Sequence, residues 1–147
     1  TGSVKSAAGF NAKAAVLSFE MSLSDAVHTG GGIPKGIISY GRLPLMLTRN
    51  CPNKNGKGCK NCNGISKITD RKGIEFPIMC RGEFSEMFNS RPVWLFDRRN
   101  DLKGLDFEVL MFTDETPQRV FEVLDALRKG ASPDIDFTRG LYYREVY

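Results

Sequence analysis

The 147-residue chain contains only one histidine and one tryptophan. It has no cysteine outside residues 51–80 and no acidic residue between Asp25 and Asp70. Each scarcity narrows the chemistry. With His28 as the single imidazole, a Cys/His or Ser/His/Asp arrangement has only one candidate base. His28 falls at the end of a short predicted helix, ahead of Gly30-Gly31-Gly32, where a surface or capping role is the expectation. No stretch approaches the ~20 consecutive apolar residues of a membrane span, so no membrane association is expected. No leader-like segment opens the chain. Thr1-Gly2-Ser3 reads as an appended scar, with the native start expected upstream.

What is present is a soluble-type composition, 41% hydrophobic and 26% charged, with a formal net charge of +4. That charge is unevenly spread. The acid-free span holds Lys35, Arg42, Arg49, Lys54, Lys57, Lys60 and Lys67. Such a local positive field suits phosphate or nucleic acid. It equally suits charge compensation, because four thiolates around a divalent metal or an oxidised four-iron cluster carry a net −2.

Apolar runs predict β segments at 14–19, 36–40, 45–48, 86–89, 92–96 and 107–112. A hairpin is expected from 65–69 and 74–79, turning at Asp70-Arg71-Lys72-Gly73, with Pro77 marking an edge or a bulge. Ser22 is a predicted N-cap for a short helix ending near His28. The clearest helix spans 117–129. Thr116 caps it, Pro117 is its first residue, and Val120, Val123, Leu124 and Leu127 form an apolar stripe that Phe121 widens. Gly130 closes it behind Arg128 and Lys129. Residues 1–13 are small and weakly patterned. The late order of strand, short helix, strand and helix predicts an α/β fold with some parallel pairing. The cysteine loop and hairpins sit as an insertion in it.

The strongest chemical signal is the spacing C-x7-C-x2-C-x17-C, formed by Cys51, Cys59, Cys62 and Cys80. Disulfides are disfavoured, since nothing marks the chain as secreted and cytosol keeps thiols reduced. The Cys59/Cys62 pair sits among Asn and Gly, which fits a loop rather than the strand-to-helix junction of a thioredoxin-type site. In such a turn, backbone N–H groups point at sulfur, the logic of a metal knuckle. Joint coordination is the expected role, with free or structural thiols as the alternative. Zinc and an iron–sulfur cluster both accept four thiolates. The single C-x-x-C knuckle leans towards a cluster, and the spacing leaves the choice open. Glu20, at the end of the AVLSF run, is a candidate catalytic carboxylate or a solvent-facing turn residue. Phe137, Arg139, Tyr142, Tyr143 and Arg144 suit either nucleic-acid stacking or packing of a terminal segment.

These residues also carry a resemblance. LSFE at 17–20, YGRLPLMLTRNCP at 40–52, the Cys59/Cys62 pair, TDRKG with FP at 69–77, and FTRG-x-YYR at 137–144 resemble the collagenase-like peptidase family, peptidase family U-32. The resemblance runs from about residue 10 onward and corresponds to the later part of that family's catalytic domain. It implies a barrel-like α/β core. It also implies either proteolysis or oxygen-independent hydroxylation of RNA or small molecules, with a four-iron four-sulfur cluster on Cys51, Cys59, Cys62 and Cys80. It places Glu20, Tyr40 and Arg42 near the site, and Arg49 joins Tyr40 and Arg42 as a candidate substrate-binding residue. A complete eight-stranded barrel takes ~250 residues. The expectation is therefore one domain over 1–147, an incomplete barrel lacking its other half, with a four-cysteine subregion at 49–80. Its expected location is cytoplasmic and its expected partners are RNA or a peptide. The alternative is a non-enzymatic, metal-stapled module that binds RNA or a protein through the basic loop.

Overall fold

A computed structural model describes residues 2–52, 54, 59 and 62–144. The fold is mixed α/β, with three α-helices and two four-stranded sheets among the described residues, and neither sheet closes into a barrel. The chain divides into two compact units. One comprises residues 1–41 and 93–147, and the other, residues 42–92, interrupts it in sequence.

The first unit is organised around β2 (Lys35–Gly41), whose sequence KGIISYG is almost wholly buried. A strand covered on both faces reads as a continuous apolar run rather than an alternation. β8 (Phe107–Met111) pairs with it in parallel from Gly36 to Gly41, with an irregularity between Ile38 and Tyr40. β2 has only two edges and β8 occupies one of them along this whole length. The other edge is therefore shared. β1 (Ala15–Val16) pairs in parallel at its start, and β7 (Val93–Trp94) pairs antiparallel at its end. The predicted 14–19 strand is thus cut to two residues, since Leu17 N–H donates to Gly36 O and the chain then turns away.

The weakly patterned N-terminus forms helix α1 (Gly2–Gly9), which buries only Val4. Gly31 receives it: a Cβ there would lie 2.1 Å from Val4 Cγ1, so the glycine run serves close packing. Helix α2 (Leu23–His28) starts where Ser22 Oγ accepts the Asp25 N–H. Its C-terminal carbonyls are held by Lys35 Nζ, which donates to Ala26 O, Val27 O and Thr29 O. His28 is exposed, with Nδ1 2.7 Å from Ser24 O.

Helix α3 (Pro117–Lys129) has the expected bounds, with Thr116 accepting from Arg119 N–H and Gly130 left-handed at φ 61°. Val123 enters a core of Tyr40, Trp94 and Phe96, against which Leu110, Ala126, Leu127 and Phe137 pack. Phe121 does not widen the buried stripe; it is 69% exposed. At about 100° per residue it lies to one side of the arc shared by Val120, Val123, Leu124 and Leu127. After β7, where residues 97–103 are expected to form a helical turn or a short helix ended by Gly104, the chain makes a 3-10 turn at Phe96–Arg98 and further turns up to Gly104.

The aromatic tail packs onto this unit. Trp94 N–H donates to Thr138 O, and Tyr142 is buried. Arg139 clamps Asp97 through two hydrogen bonds of 2.6 and 2.7 Å and also donates to Trp94 O. Its guanidinium lies 4.6 Å from the Phe137 ring centroid.

The second unit is one antiparallel sheet built from β3 (Pro44–Thr48), β4 (Ile65–Thr69), β5 (Glu75–Cys80) and β6 (Ser85–Phe88), in the order β3-β6-β5-β4. The predicted β4–β5 hairpin forms. In its turn, Asp70 Oδ1 accepts the N–H groups of Lys72 and Ile74. Pro77 sits in an interior strand, one residue before the pairing with β6 begins, so β5 is locally an edge there. Pro77, Ile78, Ser85 and Phe88 are the buried strand residues of this sheet, Ile78 and Phe88 being its large apolar ones.

The Asp97–Arg139 clamp gives a pH-dependent contribution to stability. Its hydrogen bonds to Arg139 hold the Asp97 carboxyl below its ordinary value of 3.8. The folded form then favours the carboxylate, so the contribution is complete above about pH 4 and is lost as pH falls through the lower folded value. Urea unfolding is expected to show Asp97→Asn costing about 1.5–3 kcal/mol at pH 7. The gap should narrow below pH 4, and a gap that does not depend on pH would refute the clamp.

Candidate functional site

The four cysteines all belong to the second unit, and strand register explains their placement. Ser85, the first residue of β6, pairs with Thr48 on one side and with Cys80 on the other. Thr48 ends β3 and Cys80 ends β5. Beyond β5, Cys80 N–H donates to Gly64 O at 2.7 Å, just ahead of β4. The loop 49–64 therefore leaves one outer strand and re-enters the other at the same end of the sheet. Its two ends lie three strand spacings apart, about 14 Å, and Cys80 lies at that same end of the sheet.

Within the loop, Lys54 N–H donates to Cys51 O and Cys62 N–H to Cys59 O, each closing a short turn. Gly64 N–H donates to Cys62 Sγ at 3.4 Å. Gly64 has φ 83° and no heavy atom within 4 Å of the position a Cβ would take, so its backbone conformation, not space, calls for glycine. An N–H aimed at sulfur stabilises a thiolate and is the local feature expected of a metal knuckle. Gly64 thereby joins two of the four thiol residues, accepting from Cys80 and donating to Cys62. Cys51 is half-buried, while Cys59, Cys62 and Cys80 are exposed. Among the described residues none of the four is in a disulfide, and no three His, Cys, Asp or Glu side chains gather into a group that could hold a metal ion.

Arg49 is exposed at the start of the same loop. Arg42 lies at the opposite end of β3 and donates through Nη1 to Asn89 O and Ser90 O. Lys54 is exposed, and Lys67 forms a 2.8 Å ion pair with Glu75. Lys57 and Lys60 lie outside the described residues. Residues 42–92 carry ten Lys and Arg against four Asp and Glu, a net +6 in a chain of net +4.

Glu20 and Tyr40 belong to the first unit. Glu20 is exposed in the turn after β1. Tyr40 is 1% exposed and donates from its hydroxyl to Glu115 Oε1 at 3.1 Å. Burial, reinforced by the Glu115 charge, pushes the Tyr40 hydroxyl up to about 12. Glu115 Oε2 in turn accepts the Thr113 N–H. Arg119 pairs with Asp134 through two hydrogen bonds of 3.0 and 3.1 Å, which hold the Asp134 carboxyl below its ordinary value. The sequence reading passed over this network. Its one signal is an acidic residue directly before the Thr116-Pro117 helix start, where the positive end of the dipole favours it.

Comparison with known proteins found no matching family model, no matching curated protein and no matching solved structure.

Exposure separates the thiols chemically. In metal-free, reduced protein, N-ethylmaleimide is expected to modify Cys59, Cys62 and Cys80 before Cys51. Peptide mapping by mass spectrometry reads the order, and Cys51 reacting first would contradict this arrangement.

Proposed function

We propose that residues 42–92 form a four-thiolate module in which Cys51, Cys59, Cys62 and Cys80 hold a four-iron four-sulfur cluster or zinc. The observation that carries the reading is the Gly64 N–H on Cys62 Sγ at the sheet end where Cys80 also sits. The donor chemistry fits either group. Binding would gather the four thiols onto one centre, so metal uptake and folding of the module are linked. A bound cluster supplies electron transfer, whereas a closed zinc site supplies folding energy. Arg49 and Lys54 offset the charge of the thiolates.

The wider reading keeps the resemblance to peptidase family U-32. The chain is then the later part of a barrel whose remaining strands lie elsewhere in a longer cytoplasmic protein. In that protein the module supports hydroxylation of RNA or a small molecule, or proteolysis of a peptide. The open first sheet, with three parallel strands, agrees with such a part-barrel. Glu20 is the candidate catalytic carboxylate, with Arg42 and Arg49 as candidate substrate contacts. Tyr40, with its hydroxyl engaged by Glu115, acts in this reading by positioning the end of β2.

Anaerobic purification followed by metal analysis and absorption spectroscopy tests the module. One cluster or one zinc per chain is expected, and Cys80→Ser should lose most of the metal while the first unit stays folded. Folded protein holding neither iron nor zinc would overturn the reading.

The net +6 of residues 42–92 favours a second role, binding of single-stranded RNA. The log of the affinity should fall with the log of salt concentration at about −0.7 per neutralised phosphate. Arg49→Ala should flatten that slope by about one phosphate. Binding that is indifferent to salt, or absent at low salt, would exclude this role.

A further inference from the structure

The first unit contains a cavity of about 640 Å³ that the thiol module does not use. It lies between the start of α2 and the aromatic tail, which are tied together where Leu23 N–H donates to Tyr142 O at 2.8 Å. Its volume falls within the range of small-molecule sites. The body of the cavity is apolar, formed by Met21, Leu23, Val27 and the rings of Tyr142 and Tyr143.

The charged groups around this apolar body differ in what they already do. Asp25 accepts from Ser22 Oγ at 2.8 Å, and Asp101 accepts from the Tyr143 hydroxyl at 2.6 Å. Tyr143, pushed up to about 12 by burial and by Asp101, stays protonated as that donor at neutral pH. Glu20 is different. Its carboxylate accepts no hydrogen bond among the described residues, although its own N–H is held by Ser18 Oγ. Among the described lining residues Arg144 is the single cation, against three carboxylates. Tyr143 is 46% exposed, and Arg98 lies 5.9 Å from its ring centroid, so this ring already accepts a cation.

We propose that this cavity binds an organic ammonium ion with a compact apolar body, the ammonium held by Glu20 and the body resting on Leu23, Val27 and the tyrosine rings. An apolar floor, an aromatic ring and one unengaged carboxylate at the wall select for positive charge joined to hydrocarbon. A carboxylate ligand of the same shape would meet Glu20, Asp25 and Asp101 as like charges.

The test uses the whole 147-residue chain and three probes of equal shape: phenethylammonium, neutral 2-phenylethanol and anionic 3-phenylpropanoate. Amide shifts of Leu23, Val27, Tyr142 and Tyr143 in two-dimensional NMR report binding. Phenethylammonium is expected to bind saturably and tighter than either control. Glu20→Gln should weaken phenethylammonium about fivefold, the scale of one partly exposed ion pair, and leave 2-phenylethanol unchanged. Because Glu20 is exposed, this variant keeps the fold, and Glu20→Lys should abolish binding of the cation. Equal or tighter binding of 3-phenylpropanoate, an unchanged affinity in Glu20→Gln, or no saturable shift with the cation would each overturn the proposal.

Discussion

The placement of Cys80 beside the ends of the cysteine loop depends on the register of one short strand. By pairing Ser85 with Thr48 on one side and Cys80 on the other, β6 aligns the end of β3 with the end of β5. A slip of one residue would turn every side chain of the strand to the opposite face. It would also separate Cys80 from the level at which the cysteine loop begins. The buried Ile78 and Phe88 specify that register, because each has only one face on which it can be covered. The core residues of this small sheet and its thiol geometry are thus a single constraint.

The first unit rests on a different device. β2 is filled on one edge by β8 and on the other by β1 and β7 in succession, and its central residues Ile37 to Tyr40 are all buried. Tyr40 illustrates the consequence. Its ring meets Trp94 edge-on at 5.8 Å and stacks on Phe96 at 6.0 Å, and its hydroxyl needs Glu115 because a buried donor left unpaired is costly. The charge balance follows the same division. The second unit is strongly basic, while the first carries a slight acidic excess and hosts the cavity beside Glu20.

Much of this was legible in the residues. Apolar runs located the strands, Asp70 to Gly73 located the hairpin turn, and Thr116-Pro117 with Gly130 bounded α3. Helix α1 was not legible, because a helix that buries one side chain leaves almost no periodic trace. Phe121 misled because hydrophobicity alone does not say which side of a stripe faces the core. Arg139 reads equally as a ligand contact or as packing, and only its long-range partners Asp97 and Trp94 decide for packing. The spacing of the thiols was plain, but the placement of Cys80 at the sheet end where the cysteine loop starts and returns depends on strand order, which local pattern does not encode.

The most direct measurement of the central claim is a cobalt(II) titration of the reduced, metal-free chain, followed by its visible and near-ultraviolet absorption. The proposed four-thiolate site should take up one cobalt per chain. The expected spectrum combines intense tetrahedral bands with sulfur-to-metal charge transfer, and changing any one of the four cysteines to serine should weaken it. A weak octahedral spectrum, or a spectrum indifferent to Cys80→Ser, would contradict the account.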